Sequence, residues 1–112
     1  MSTEYNVVVF DKPNVDRLKV RSQHLAGIVS AVNSGVLTLG GAIYHDEAKT
    51  KFAGSTLQVA ANSKQEVIDF LKTDVYYKEG IWDLDNAIIH PVGLAVRLPK
   101  KLDGVPDSFY NV

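Results

Sequence analysis

The chain has 112 residues, of which 46% are hydrophobic and 22% are charged, and this balance is typical of a folded globular domain rather than a disordered one. Its length suits a single hydrophobic core. The net charge of -1 gives no broad basic field, so binding to nucleic acid or to an anionic membrane surface is not expected. Because the chain contains no cysteine, disulfides, thiolate nucleophiles and cysteine-bound metal centres are excluded.

The sequence predicts no membrane-spanning or secretory segment. It contains no run of about 18 apolar residues, which is the length that spans a bilayer. The first residues, Met1 to Tyr5, lack the basic and apolar regions of a secretory signal. We therefore expect a cytoplasmic protein with no membrane partner.

The first half of the chain predicts three strands and one long helix. The β-branched run from Tyr5 to Phe10 is typical of a buried strand. Apolar residues then recur at helical spacing, which predicts a helix from Val15 to Asn33 that ends before a glycine. Two further strands are predicted at 36–44 and 52–61, and the short polar turn between them favours a hairpin.

The second half begins with a capping-box pattern, in which Ser63 and Glu66 predict the start of a short helix. Residues 74–80 are rich in tyrosine and charge and are predicted to form a loop. The last extended segment is expected at 81–97, with a proline that marks an edge position or a bend. We place the domain at 1–98 and a C-terminal tail without regular structure at 99–112.

The predicted order is β-α-β-β-α-β, which is the ferredoxin-like arrangement of an α+β fold with an antiparallel sheet. Both helices of this fold cover the same face of the sheet. The other face needs cover if it is apolar, and pairing two sheets across a two-fold axis is the simplest cover. We therefore expect a homodimer.

His24 is the histidine with the most suggestive surroundings. On the predicted helix, Arg17, Arg21 and His24 are spaced three or four residues apart, so they share one flank at the edge of the core. A neutral imidazole in that position could act as a general base, and Arg21 could hold a substrate carboxylate. The simpler interpretation is an ordinary helix-surface histidine beside solvated arginines.

Four other residues are candidates because of their chemistry. Asp74 could orient His24 or a substrate, although it also suits a turn that binds its own backbone. The Ser55 hydroxyl could bind a polar ligand or cap the start of a strand. Tyr76 and Trp82 could wall a pocket, or they could belong to the core or to a dimer interface.

No metal or cofactor site is predicted. His45 lies in the predicted hairpin turn and His90 in the last extended segment, and the three histidines lack the short spacing of a ligand set. The sequence has no P-loop, no dinucleotide-binding glycine motif and no serine nucleophile elbow.

Four segments, in order and at similar spacing, resemble the YCII-related family. Residues 18–25 resemble its Arg-x-x-His helix, and residues 35–42 resemble the strand that follows. The Gly-Ser pair in 52–56 is similar to the family's strand entry. Residues 74–82 resemble its Asp-Pro-Tyr/Phe loop and Ala-Gly-Val segment. Together these segments span roughly residues 5 to 97.

The resemblance implies a ferredoxin-like fold, a dimeric α+β barrel and a pocket with an active-site pair, which here is His24 and Asp74. It also implies that Arg21 is the arginine of the same helix, and that Ser55 and Tyr76 lie near the pocket. The family proline after the aspartate is replaced by valine in this chain, so the turn that holds Asp74 is expected to be less rigid.

Two functions are compatible with these observations. The first is a small-molecule enzyme in which His24 moves a proton, Asp74 orients it and Arg21 holds a small organic acid. The chemistry that the resemblance implies is proton transfer, isomerisation or removal of a halide. The alternative is a non-catalytic dimeric module that binds a metabolite in the same pocket.

Overall fold

Four antiparallel strands form one sheet in the computed structural model, which describes residues 2–110. The strands are β1 (Thr3–Phe10), β2 (Leu37–Tyr44), β3 (Phe52–Ala61) and β4 (Ile88–Val92), in the sheet order β2-β3-β1-β4. The helices are α1 (Arg21–Asn33), α2 (Lys64–Leu71) and the short α3 (Val75–Lys78). This architecture confirms the predicted ferredoxin-like α+β fold.

The core lies between the sheet and the helices. Successive strand residues point to opposite faces, so Val7 and Val9 of β1 face the helices together with their β3 partners Leu57 and Ser55. The helix α2 closes the core with two fully buried residues. These and the other buried apolar residues of the cluster are Val7, Val9, Leu37, Leu57, Val59, Ala61, Val67, Leu71, Tyr76, Ile81 and Trp82.

The opposite face of the sheet has no helix over it in the described part of the chain. It carries large apolar side chains that are about half exposed, namely Phe10 at 50%, Leu39 at 47% and Ile88 at 52%. Polar residues lie among these apolar side chains. Asn6 of β1 pairs with Gln58 of β3 on one side and with His90 of β4 on the other.

The first helix starts later than predicted. Asp16 caps a separate 3₁₀ turn (Arg17–Lys19) by accepting a hydrogen bond from the Leu18 N–H at 3.0 Å. Val20 then interrupts the helical conformation, and α1 begins at Arg21. The prediction for Val15 to Val20 was wrong because apolar spacing over one turn does not distinguish a 3₁₀ turn from the start of an α-helix.

The region after α2 is also more divided than predicted. The expected loop at 74–80 contains α3, and the expected extended segment at 81–97 is wrong over most of its length. It starts with a single bridge between Asp11 and Trp82, continues through a 3₁₀ turn (Leu84–Asn86), and forms a strand only at β4. Pro91 is accommodated because β4 is an edge strand.

The C-terminal residues pack against the rest of the domain. Arg97 forms an ion pair with Glu4 at the start of β1, and a short 3₁₀ turn (Asp107–Phe109) packs against α1. Residues 99–110 are irregular except for this turn, and the last two residues of the predicted tail lie outside the described part of the chain. No helix within residues 2–110 is long and apolar enough to cross a membrane.

Candidate active site

His24 and Asp74 are in direct contact. The imidazole Nδ1 lies 2.9 Å from Asp74 Oδ1 and 2.8 Å from Oδ2, and the two side chains are 12% and 24% exposed. An ionised carboxylate only accepts hydrogen bonds, so Nδ1 carries the hydrogen. In the neutral imidazole, Nε2 then keeps its lone pair and can accept a proton. This pair borders an open cleft of about 390 Å³.

Asp74 is held in place by the helix that follows it. It is the N-cap of α3, and its Oδ1 accepts a hydrogen bond from the Tyr76 N–H at 2.8 Å. Val75, which stands where the YCII-related family has proline, is the first residue of α3. The cap hydrogen bond supplies an anchor for the carboxylate that does not depend on a proline ring.

Two buried aromatic residues support the His24 ring. Tyr76 stacks on it with ring centres 4.0 Å apart and an interplanar angle of 13°. Trp82 meets His24 edge-on at 6.0 Å and Tyr76 edge-on at 5.6 Å. Tyr76 and Trp82 are each only 1% exposed, and burial raises the pKa of the Tyr76 phenol. The imidazole therefore rests on a rigid, uncharged surface.

Arg17 and Asp11 form a buried ion pair beneath this surface that the sequence analysis did not identify. Arg17 donates to the two Asp11 carboxylate oxygens from Nε at 2.8 Å and from Nη2 at 2.7 Å. Arg17 is only 5% exposed, and its guanidinium carbon lies 4.6 Å from the centre of the Tyr76 ring. The predicted shared flank of Arg17, Arg21 and His24 was wrong, because Arg17 precedes α1 and points into the domain.

Ser55 joins this ion pair to Trp82. Its hydroxyl oxygen accepts a hydrogen bond from Arg17 Nη2 at 3.0 Å and another from Trp82 Nε1 at 3.2 Å. Ser55 is 3% exposed, so these two donors satisfy a buried oxygen. The residue therefore fixes the position of the aromatic support from the sheet side.

The sequence contained one signal for the missed pair. Asp11 directly follows the buried run of β1, and Arg17 lies six residues later in the connection to α1. An acidic and a basic side chain at the two ends of such a connection can meet where the strand ends. The helix prediction obscured this because it placed Arg17 on an exposed helix flank.

The other predicted site residues are divided between different surroundings. Arg21 is exposed, and its guanidinium carbon lies 5.8 Å from the centre of the Phe52 ring. Phe52 lines a second cleft of about 500 Å³. Ser55, Tyr76 and Trp82 line neither this cleft nor the one at His24.

The remaining histidines are separate from the pair. His45 lies in the turn between β2 and β3, and His90 lies on β4 opposite Asn6. Within residues 2–110, no group of three or more histidine, aspartate or glutamate side chains is arranged to hold a metal ion.

A solved structure shares the fold of this chain. It is the 5-chloro-2-hydroxyhydroquinone dehydrochlorinase from Burkholderia phenoliruptrix AC1100, in complex with 2,5-dihydroxybenzoquinone. The TM-score is 0.64 at 22% sequence identity, and the match covers 78% of this chain and 90% of that chain. The likeness shows a common α+β fold.

Another protein is more similar to this chain in sequence than the structural neighbour is. No family model matches the chain, so the YCII resemblance stays a prediction. Aspercryptin biosynthesis cluster protein B of Emericella nidulans is 36% identical over 106 residues. The match covers 88% of this chain and 68% of that protein. At this identity and coverage, the chain belongs to the same family as aspercryptin biosynthesis cluster protein B.

Proposed function

We propose that this protein is a small-molecule enzyme in which His24 and Asp74 act as an acid–base pair on a small organic acid. The observation that carries the proposal is the contact of both Asp74 oxygens with Nδ1 of His24. Within residues 2–110, Nε2 has no hydrogen-bond partner, so it is available to a substrate. A base and an orienting carboxylate that are both partly exposed suit proton transfer to and from a bound substrate.

The chemistry follows from this geometry. Nε2 takes a proton from an O–H or C–H group of the substrate, and the Asp74 carboxylate stabilises the imidazolium that forms. The same nitrogen then returns the proton to the product. The Tyr76 ring and the cap of α3 keep His24 and Asp74 in one orientation, which lowers the entropic cost of reaching the reactive geometry.

The substrate class is inferred from Arg21 and from the relatives. Arg21 lies one turn before His24 in α1, and within residues 2–110 its guanidinium has no ion pair, so it is free to hold a carboxylate. The name of the sequence relative refers to a biosynthesis cluster, and the structural neighbour is named as a dehydrochlorinase and holds a planar ring compound. These names support a small organic molecule as the substrate, and Arg21 supports an acidic group on it.

The test is a turnover screen of small carboxylic acids and phenols, followed by variants. His24→Gln is expected to lower turnover by about 10²–10⁴-fold while the substrate still binds. His90→Gln is the matched control, since His90 is exposed on the far face of the sheet, and it should keep normal turnover. Full turnover by His24→Gln would overturn the proposal.

A second variant separates the charge of Asp74 from its structural role. Asparagine is also a good N-cap, so Asp74→Asn keeps the cap of α3 but removes the carboxylate that stabilises an imidazolium. We expect a large loss of turnover with a nearly unchanged melting temperature. Asp69→Asn, on the exposed surface of α2, should change neither quantity.

A non-catalytic metabolite-binding module is the second candidate. One observation favours it, which is that the predicted site residues Ser55, Tyr76 and Trp82 are buried and line neither cleft. In that case one molecule of a screened acid would bind to each protein molecule, and the acid would be recovered unchanged after long incubation. Consumption of the acid would exclude this function.

We also propose that the protein acts as a cytoplasmic homodimer. The helix-free face of the sheet exposes Leu39 and Ile88, and a second copy placed across a two-fold axis would cover them. No nucleic-acid partner is proposed, because the net charge is -1.

A further inference from the structure

A second cleft is lined by Asp11 and Phe52, and the ring centre of Phe52 lies 5.3 Å from the guanidinium carbon of Arg17. Its volume is about 500 Å³, which falls in the usual range of small-molecule sites. It is formed by residues 10–15 at the end of β1, by His45 in the hairpin turn and by Phe52 and Ala53 at the start of β3. It shares no lining residue with the cleft at His24 and Asp74.

The charge available to a ligand in this cleft is positive. Among the described residues that line it, Asp11 is the single acid, and both of its oxygens are already bound by Arg17. Lys12 and His45 are exposed, and within residues 2–110 neither side chain has an ion pair or a hydrogen bond. An anion therefore meets one uncompensated ammonium group and one imidazole.

The remaining lining of the cleft is mostly apolar. Phe10 is 50% exposed, and Phe52 is fixed by stacking with Tyr44 at 5.2 Å between ring centres. Pro13 and Val15 lie in the turn that forms another part of the wall. A ligand that fits this surface has an apolar body and a negative group at one end.

Arg21 connects this cleft to His24. It is one turn before His24 in α1, and its guanidinium carbon lies 5.8 Å from the centre of the Phe52 ring, which lines the cleft. The two imidazole nitrogens point in nearly opposite directions, so Nε2 of His24 faces away from Asp74. Arg21 therefore lies near the lining of this cleft as well as near His24.

We propose that this second cleft is the recognition site for an organic acid, with Lys12 and His45 binding its carboxylate and Phe10 and Phe52 contacting its apolar body. That the bound acid is also the substrate rests on the proposed function, and such a substrate needs a second acidic group for Arg21. The binding site itself does not depend on catalysis, so the two proposals can fail separately.

Benzoate is a suitable probe because it joins a carboxylate to an apolar ring, and benzamide is its uncharged match. The full chain is titrated with benzoate while its amide NMR shifts are recorded. Benzoate should give saturable shifts at His45 and Phe52, and benzamide should give much weaker shifts. Lys12→Gln and His45→Gln should each weaken benzoate binding about tenfold, which is the loss expected for one charged hydrogen bond. Lys100→Gln and His90→Gln serve as matched controls and should bind benzoate normally.

Benzoate shifts confined to Gln23, Thr73 and Lys78, which line the cleft at His24, would overturn the inference, as would the absence of saturable binding. Lys12 and His45 are exposed, so unchanged amide spectra of the free variants should confirm that both still fold. If benzoate binds as expected but His24→Gln keeps full turnover, the proposed function fails and the cleft assignment stands. If His24→Gln loses turnover but benzoate does not bind at His45 and Phe52, the proposed function stands and the cleft assignment fails.

Discussion

Among single residues, Asp74 combines two roles in one carboxylate. Both oxygens contact Nδ1 of His24, and Oδ1 also accepts the Tyr76 N–H that starts α3. Tyr76 in turn supports the imidazole ring from below. The orientation of the proposed base is therefore determined by a local turn of three residues and by one long-range contact to α1.

Tyr76 predicts how stability changes at alkaline pH. Burial raises the pKa of Tyr76 above its usual value of 10.0, and the positive charges of Arg17 and Arg21 oppose this effect only in part. The folded state therefore holds the phenol proton more tightly than the unfolded chain does. Its contribution to stability is complete below about pH 10 and is lost as the pH rises through the folded-state pKa.

Urea unfolding measured between about pH 8 and pH 11 tests this expectation. Tyr76→Phe has no phenol to ionise, so its urea midpoint should fall less steeply above pH 10 than that of the parent protein. Tyr77→Phe is the control, because Tyr77 is 37% exposed and should leave the slope unchanged. Equal slopes for Tyr76→Phe and the parent would show that this residue does not contribute.

At the level of secondary-structure elements, the close approach of β1 and β3 determines where the buried network attaches to the sheet. A Cβ on Gly54 would lie 2.3 Å from the Val9 carbonyl oxygen and 2.9 Å from the Phe10 Cα. The next residue, Ser55, accepts the hydrogen bonds from Arg17 and Trp82. The glycine therefore lets the two strands meet closely enough to place the serine oxygen.

Gly54→Ala is expected to destabilise the domain by on the order of 3 kcal/mol, since the added methyl group meets backbone atoms that cannot move without separating the strands. Gly41→Ala makes the same change in β2, where no atom lies within 4 Å of the added Cβ, and it should change stability by about 0.5 kcal/mol or less. Urea unfolding of both variants measures the difference. Similar stabilities for the two would contradict the close approach.

The elements that were predicted from sequence are those with strong local signals. β3 is observed with the predicted bounds, and the Ser63 cap accepts the Glu66 N–H at 3.2 Å as its pattern indicated. The start of α1 and the division of 81–97 were missed, because turns of three residues carry no periodicity.

The site was predictable only in part for a related reason. His24 and Asp74 were candidates from their chemistry and were named as an active-site pair on the resemblance. Their contact depends on the packing of α1 against α3, which neither segment encodes alone. Arg17 and Asp11 were missed because their pairing needs the true start of α1. Burial of Tyr76 and Trp82 had been left open between a pocket wall and the core, and the structure places both side chains in the core.

For the whole molecule, the helix-free face of the sheet predicts association. Leu39 is 47% exposed on that face, in the edge strand β2, so a buried charge at this position should prevent pairing of two copies. Light scattering after size exclusion should give about twice the chain mass of 12.3 kDa for the parent protein and the single mass for Leu39→Glu.

Leu18→Glu is the control for this experiment. Leu18 is 61% exposed in the turn before α1, on the opposite side of the sheet, so its variant should remain dimeric. A parent protein of single mass, or a Leu39→Glu variant of double mass, would contradict pairing through this face.

The strand order also has a consequence for the newly synthesised chain. β1 is made before the other three strands of this sheet, yet it lies in the centre of the sheet, where Val9 pairs with Ser55 and Val8 pairs with Ile88. At ordinary rates of translation, both edges of this valine-rich strand stay unpaired for on the order of seconds before β3 and then β4 leave the ribosome. Misassembly of the nascent chain is therefore expected to begin at β1, and chaperone binding during synthesis should concentrate on residues 5–10.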